Sequence, residues 1–209
     1  MMHTESPSQN MQTGPVSPAM NHGGHELFDV HEVLSATIGA LNQMMIFRPH
    51  VKDPELLDIL DRQYRFTLDE YNITVEAFKT GQDPSHPTGT YQMQQENDFI
   101  YGIKPSQPKS PMQPGAEISD EMISGFLLSG AKTGATGRAS AALEVCNPVL
   151  RRVIADSIPN CIEMAYELAI YQNKHHYYQV PQLAPNDMQH ILNCYATNQG
   201  QPGMPPQTN

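Results

Sequence analysis

Apolar residues recur at steps of three and four along four stretches of this chain, which is the spacing of one face of an α-helix. The first stretch runs from Glu26 to Phe47 and stops at Arg48-Pro49, while the second follows Asp53-Pro54 and stops at Gly81. Asp before a proline is a good helix start, and glycine is a good helix stop. The pattern therefore predicts a helical hairpin over residues 26–80.

The same arrangement appears again later in the chain. Apolar positions recur from Ser119 to Val145, and a further series follows Asn147-Pro148 and continues to about Asn173. These two stretches predict a second hairpin over residues 118–174. Pro159 lies inside its second helix, and because proline removes a backbone donor, we expect a kink there.

The two hairpins match each other at a fixed offset of 94 residues. Because the apolar positions and the Asx-Pro cap coincide without a gap, the sequence predicts an internal duplication of one hairpin. The matched pairs are Leu34 with Leu128, Ser35 with Ser129, Ala36 with Gly130, Ala40 with Gly134, Val51 with Val145, Asp53 with Asn147, Pro54 with Pro148, Leu56 with Leu150 and Leu60 with Ile154.

A polar segment with six prolines, residues 81–117, joins the two hairpins. Its composition excludes a third hairpin, and its length lets the second and third helices run parallel, as in ferritin-like bundles with one crossover. We expect a short helix over Tyr91–Ile103 that covers the open side. The predicted fold is an all-α, ferritin-like antiparallel four-helix bundle over residues 25–179, made of two repeated helical hairpins with a long crossover.

The segments on either side of the bundle lack a periodic apolar pattern. Residues 1–24 are rich in Ser, Pro, Gln, Met, Asn and Gly, and we expect them to form a disordered tail. Residues 180–209 are predicted to form a mostly flexible C-terminal tail with one short helix from Asn186 to Tyr195.

The third predicted helix carries small residues along its apolar face. Gly130, Gly134 and Gly137 each cost about 0.5–1 kcal/mol relative to Ala inside a helix. We therefore expect a packing demand at this face, with a neighbouring backbone approaching closely and the apolar seams of the two hairpins filling the centre of the bundle.

Composition narrows the classes of function. The formal net charge is −10 and the 12 Lys and Arg residues are dispersed, so the basic patch of a nucleic-acid-binding protein is missing. No apolar run is long enough for a membrane span, and residues 1–25 lack the features of a signal peptide. The sequence predicts a soluble protein, synthesised in the cytoplasm without a signal peptide.

Three cysteines without a CxxC motif argue against a disulfide framework and against a zinc ribbon. Cys146 and Cys161 are interpreted as buried small residues, since free cysteine is often buried. Cys194 lies in the polar tail, where it would be available for cross-linking.

A ferritin-like bundle raises the hypothesis of a two-metal carboxylate centre, which takes Glu from two helices and Glu-x-x-His from the other two. None of the nine histidines follows a glutamate by three, and Met122 to Leu143 contains no acid. There is also no Gly-x-Ser-x-Gly motif and no phosphate-binding glycine loop. We therefore predict no catalytic residue, no cofactor site and no metal ligand.

Two groups of residues keep alternatives open. His31, Glu32, Asp69 and Glu163 are either solvated surface side chains or a nonstandard ligand set of a ferritin-like metal-binding protein or oxidase. The run His175-His176-Tyr177-Tyr178 either binds a metal or takes part in cross-linking, or it is a helix end whose tyrosines pack back on the bundle.

The second hairpin resembles the coat F domain of the bacterial spore coat protein F family. The resemblance rests on Ile118 to Glu121, on the run Leu127 to Gly134 with its LLxxxK pattern, on Asn147-Pro148-Val149-Leu150-Arg151-Arg152, and on the aromatic close at His176-Tyr177-Tyr178 before Pro181. It covers about 60 residues directly and, through the repeat, residues 25–179. Pro159 and the tails rich in Met, Gln and Pro depart from the family pattern.

The resemblance implies a ferritin-like helical bundle that is made during sporulation and associated with the spore coat, with no catalytic residues to carry over. We therefore expect a non-enzymatic structural protein of the spore coat, acting through bundle packing and through association with other coat proteins or with itself. The alternative is the ferritin-like metal-binding protein or oxidase described above.

Overall fold

The computed structural model describes residues 16–96 and 98–197, and it is built from α-helices. The helices are α1 (Gly24–Phe47), α2 (Pro54–Thr80), α3 (Asp120–Glu144), α4 (Pro148–Lys174) and α5 (Pro185–Leu192). The first four form the bundle, and the residues between α2 and α3 form the crossover. The predicted all-α, ferritin-like fold of two repeated hairpins is confirmed.

Local chemistry explains where the bundle helices begin and end. The side chains of Asp53, Ser119 and Asn147 each accept hydrogen bonds from backbone amides in the first turn of the following helix. Gly81 ends α2 with a φ of 64°, and a Cβ atom there would collide with the carbonyl oxygen of Pro18. Only glycine fits this position without strain.

The four long helices pack so that α1 and α4 each contact both α2 and α3, with the tightest packing between α3 and α4. The buried core has two parts. One contains Leu56, Leu60, Ile123, Leu168 and Tyr171, and the other contains Val30, Ile73, Ala77, Leu150 and Ile154.

The two hairpins exchange equivalent hydrogen bonds at the opposite ends of the bundle. At the start of α1, the Glu26 carboxylate accepts from the backbone amides of Cys146 (2.7 Å) and Asn147 (3.2 Å). At the start of α3, the Asp120 carboxylate accepts from the amides of Lys52 (3.0 Å) and Asp53 (3.2 Å). Donors and acceptors are related by the same offset of 94 residues that relates the two hairpins. The internal repeat is therefore also seen in the hydrogen bonds between the two hairpins.

The described residues between Tyr91 and Ile103, which are all but residue 97, contain no helix, so the expectation of a short helix there is wrong. Backbone groups of this segment form hydrogen bonds with side chains of α4 instead. Asn160 accepts from the amide of Tyr91, and Asn173 both accepts from the amide and donates to the carbonyl of Ile100. These long-range bonds satisfy backbone groups of Tyr91 and Ile100 that a helix would pair within itself.

Glu167 of α4 is the central anchor of the crossover. Its side chain is fully buried and accepts hydrogen bonds from the hydroxyl of Tyr91 and the amide of Gln94, both in the crossover. Two residues of α2 also bind it, Arg62 through Nη2 (2.8 Å) and Gln63 through Nε2 (3.1 Å). Desolvation would lower the pKa of Arg62, but the hydrogen bonds to Glu167 and Asp58 raise it overall.

The structure also shows the surroundings of Pro159, Cys161 and Cys146. α4 runs without a break through Pro159, so this proline does not interrupt the helix. Cys161 is buried as predicted, but Cys146 is exposed, and that prediction is wrong. Cys146 lies in the tight α3–α4 connection, where its backbone amide binds Glu26 while its side chain reaches the surface.

The predicted tails are described only in part, since residues 1–15 and 198–209 lie outside the described residues. Residues 18–20 form a short 3₁₀ turn next to Gly81, and the carbonyl of Asn21 accepts a hydrogen bond from Asn147. The last residues of the predicted N-terminal tail therefore contact the bundle. On the C-terminal side, α5 corresponds to the short helix expected between Asn186 and Tyr195.

Candidate functional site

The nonstandard metal set offered by the sequence does not come together. Within residues 16–96 and 98–197, no three His, Cys, Asp or Glu side chains form a group that could hold a metal ion. His31 and Glu32 are exposed on α1, and Glu163 is half-buried on α4. Asp69 is exposed on α2 and forms an ion pair with His86 at 3.2 Å. These four positions fit the interpretation as surface side chains.

The run His175-His176-Tyr177-Tyr178 lies at the end of α4, where part of it packs back on the bundle. The ring of Tyr177 stacks on that of His175 and contacts the core. His175 Nε2 lies 3.4 Å from Asp53, which also accepts a hydrogen bond from the hydroxyl of Tyr171 (2.9 Å). Tyr178 is exposed. These contacts tie the end of α4 to the start of α2.

A groove of about 530 Å³ lies between α1 and α3 and is here called the α1/α3 groove. Many small side chains of those two helices line its walls, and its floor consists of residues of α2 and α4. The expected close packing is wrong at Gly130 and Gly137, because a Cβ atom on either would meet nothing within 4 Å. α3 and α1 therefore leave open space beside these two glycines.

The internal repeat relates the two sides of this groove. Most of its lining positions occur in pairs that are 94 residues apart. The pairs are Glu32 with Phe126, Val33 with Leu127, Ala36 with Gly130, Thr37 with Ala131, Ala40 with Gly134, Gln43 with Gly137, Met44 with Arg138, Thr67 with Cys161 and Glu70 with Met164. The groove thus lies where the two hairpins face each other, although the paired side chains differ in chemistry.

Glu70 is a buried carboxyl at the floor of the groove. Its residue surface is 3% exposed, and one carboxyl oxygen accepts a hydrogen bond from Asn160 Nδ2 at 2.7 Å. No partner for the other oxygen is found among the described residues. Burial raises the pKa of Glu70 to about 7, against the smaller lowering effects of Asn160 and of the Arg138 charge.

Arg138 ties α3 to α1 across the groove. Its Nη2 donates to Thr37 Oγ1 (3.1 Å) and its Nη1 lies 3.5 Å from the carbonyl oxygen of Gly134. The buried thiol of Cys161 lies nearby, and burial raises its pKa above the ordinary value, so it remains a neutral thiol at neutral pH. The groove therefore combines apolar side chains with three carboxyl groups, those of Asp29, Glu32 and Glu70, with the guanidinium of Arg138 and with the thiol of Cys161.

Sequence reasoning missed Glu70 and Arg138 because it tested only for ligand pairs at fixed spacing. A signal was present on α2, where Gln63, Thr67, Glu70 and Thr74 form a polar series at helical steps of three and four within an apolar stripe. Such a series on the buried side of a helix indicates polar partners inside the bundle.

No helix in residues 16–96 and 98–197 combines the length and the apolar character needed to cross a membrane.

Two helical hairpins joined by a crossover, with a groove between the first and third helices, define a ferritin-like helical bundle protein.

Comparison with known proteins gives the family. Residues 119–181 match the model of the Coat F domain. Over 184 residues the chain is 51% identical to the spore coat protein F-like protein YhcQ of Bacillus subtilis (strain 168), covering 88% of this chain and 84% of that protein. The chain belongs to the spore coat protein F-like family, which confirms the resemblance seen in the sequence.

A crystal structure from Bacillus halodurans C-125, described as that of a candidate spore coat protein, has the same fold. The TM-score is 0.57 at 16% sequence identity, and the match covers 78% of this chain and 95% of that chain. At this identity the likeness shows the fold alone.

Proposed function

We propose that this protein is a structural, non-enzymatic component of the bacterial spore coat, where it acts as a helical block that associates with other coat proteins or with itself. The single observation that carries the proposal is the 51% identity to the spore coat protein F-like protein YhcQ over 88% of the chain. The match of the second hairpin to the Coat F domain supports the same assignment.

The buried polar contacts suit a block that keeps its shape. Glu167, Asn160 and Asn173 hold the crossover on α4, and Glu26 and Asp120 hold the hairpins together at both ends. Satisfied buried polar contacts define a single arrangement of the elements that they join. The crossover is therefore fixed to the bundle although its described residues form no helix.

Exposed apolar side chains support a role in association. Phe28 is 75% exposed and Ile46 is 64% exposed on α1, and Leu143 is 86% exposed on α3. α5 has no buried residue, and it leaves Ile191 and Leu192 exposed. Large apolar side chains at a surface gain free energy when a partner covers them.

Localisation in a sporulating Bacillus strain tests the proposal. A fluorescent protein fused to the chain is expected to form a signal around the developing spore and to remain with the released spore. A signal that stays diffuse in the surrounding cell, while a fusion of an established coat protein surrounds the spore, would contradict it. Turnover of a substrate by the purified protein would contradict the non-enzymatic part.

Association is tested by light scattering with the purified chain over a range of concentrations. The double variant Ile191→Asp and Leu192→Asp replaces the two exposed apolar side chains of α5. Asn186→Asp combined with Gln189→Asp, at two exposed positions of the same helix, is the matched control for the two added charges. If the wild type forms assemblies, the double variant should lose them while the control keeps them. If the wild type is a monomer throughout, self-association is excluded and other coat proteins remain as the partners.

A further inference from the structure

The α1/α3 groove has the size and chemistry of a binding site for a small molecule. Its volume of about 530 Å³ lies within the range of about 300–1,000 Å³ typical of ligand pockets, and such pockets combine apolar walls with a few polar groups. The small residues of these walls lower the stability of α3, since each glycine inside the helix costs about 0.5–1 kcal/mol relative to alanine. Gly130 and Gly137 gain no close contact in return.

The distribution of charge indicates which kind of molecule fits. Three acids line the groove, with Asp29 and Glu32 on the α1 wall and Glu70 at the floor, against a single base, Arg138. The Arg138 guanidinium already donates to Thr37, while one oxygen of the buried Glu70 carboxyl has no partner among the described residues. A positively charged hydrogen-bond donor would supply a partner for this second oxygen of Glu70.

The walls suit an aliphatic body next to that charge. Met44 and Met164 are buried and line the groove, and Phe126 lies at its edge, stacked on Phe47. Methionine side chains adapt to irregular apolar shapes, and an aromatic ring adds apolar contact area. The lining therefore offers apolar contacts between α1 and α3, acidic side chains on the α1 wall and one buried acid, Glu70, at the floor.

We propose that the α1/α3 groove binds a small amphipathic cation, with its aliphatic body between α1 and α3 and its ammonium group on Glu70. Nothing in this proposal depends on the role in the spore coat, so the two can fail separately.

Calorimetric titration of the full chain with n-octylammonium at pH 8 tests the proposal, with octanoate as the anion of equal chain length. Saturable binding of octylammonium is expected, at least about tenfold tighter than that of octanoate. Equal or tighter binding of octanoate would assign the head group to Arg138 and overturn the proposal, and so would the absence of saturable octylammonium binding.

Two variants locate the site. Glu70→Gln removes the charge but keeps the shape, and it should weaken octylammonium binding by about tenfold or more. Gly130→Leu places a side chain in the groove and should weaken binding by a similar factor. Gly39→Leu is the matched control, because Gly39 is a glycine of α1 that is exposed, lies outside the groove and has open space at its Cβ. A Gly130→Leu variant that binds as tightly as Gly39→Leu would overturn the proposal.

The pH dependence gives an independent readout. Octylammonium keeps its charge between pH 6 and pH 8, whereas Glu70 loses its proton in this range, so binding should tighten as the pH rises. The other titratable or charged groups facing Glu70 are Asp69 on its own helix, Arg138 on α3 and Cys161 on α4. Burial raises the pKa of the Cys161 thiol, so the thiol stays neutral over this range and does not oppose the predicted tightening. In Glu70→Gln this tightening should disappear, and its persistence would contradict the assignment to Glu70.

Discussion

Glu167 shows how a single buried charge organises the crossover. Its carboxylate is fully buried and accepts hydrogen bonds from Arg62, Gln63, Tyr91 and the amide of Gln94. Arg62 itself is largely buried, with 13% of its side chain exposed. Removing one partner of a buried ion pair leaves the other charge without compensation, which costs more than the pair contributes when intact.

Glu167→Gln should therefore lower the free energy of unfolding by about 3 kcal/mol or more, because it leaves the Arg62 charge partly uncompensated. Glu163→Gln, one turn earlier in α4 and half-buried, is the matched control and should change it by less than about 0.5 kcal/mol. Urea denaturation followed by circular dichroism measures both. Equal stability of the two variants would show that the Glu167 contacts contribute little.

Glu70 links stability to pH with the opposite sign to that of most carboxyl groups. Burial raises its pKa from 4.5 to about 7 in the folded chain. Between these values the folded state holds a proton that the unfolded state has released, so stability falls as the pH rises from about 4.5 to 7. The full effect is on the order of 3 kcal/mol, from about 1.4 kcal/mol for each pH unit.

Glu70→Gln should remove this loss. Relative to wild type, the variant should gain stability from pH 5 to about pH 7, and the difference should level off above that pH. Urea denaturation at several pH values from 5 to 8 measures that difference. A constant difference between wild type and Glu70→Gln across this range would contradict the raised pKa of Glu70.

The carboxyl group of Glu26 shows the opposite dependence of stability on pH. Burial alone would raise its pKa, but hydrogen bonds from His22 and three backbone amides lower it overall, so its contribution to stability is lost at low pH.

At the scale of single elements, the helices could be predicted because their signals are local. The Asp53-Pro54 and Asn147-Pro148 caps and the Gly81 stop act within one turn, and the structure places them as expected. The structure of the segment Tyr91–Ile103 could not be predicted in this way. Its backbone amides donate hydrogen bonds to the side chains of Asn160, Glu167 and Asn173, which are about 70 residues away in the chain. Partners so distant leave no pattern in the sequence of the segment itself.

The glycine-rich face of α3 shows a similar limit. Small residues in a helix are compatible both with close packing and with an open groove, and the sequence pattern is the same in the two cases. The choice depends on how far α1 stands from α3, which is set by larger contacts elsewhere, such as the stack of Phe47 on Phe126. The site could not be predicted for this reason.

Alanine substitutions distinguish the two cases. Gly130→Ala and Gly137→Ala should each raise the free energy of unfolding by about 0.5–1 kcal/mol, since alanine favours the helix and nothing obstructs its Cβ atom. Gly81→Ala is the contrasting control and should destabilise the chain, because of its left-handed φ and the collision with Pro18. Thermal or urea denaturation measures all three. Destabilisation by either α3 variant would mean that α1 packs closely on α3 in solution.

At the scale of the whole molecule, the repeat is seen in the carboxylates that the hairpins exchange. Glu26 binds the second hairpin and Asp120 binds the first, each at two backbone amides. The two contacts lie at opposite ends of α1 and α3, roughly 35 Å apart for helices of this length. Each hairpin therefore secures the interhelical turn of the other.

Glu26→Ala should destabilise the chain by about 1–3 kcal/mol, since it leaves buried amides without an acceptor. Asp120→Ala should cost less, because Asp120 is half-buried and water can replace it. The effects should add in the double variant, given their separation. Glu121→Ala is the control for an exposed ion pair and should change stability by less than about 1 kcal/mol. A double variant no less stable than Glu26→Ala alone would contradict the two-ended exchange.

The proposed role of this ferritin-like bundle is that of a structural part of the spore coat. An immunoblot of the untagged chain in coat extracts of purified spores, compared with the lysate of the surrounding cells and with the decoated spores, tests this role. We expect most of the protein in the coat extract, with no signal in spores of a deletion strain. A chain that is found in the lysate or in the decoated spores, and not in the coat extract, would contradict it.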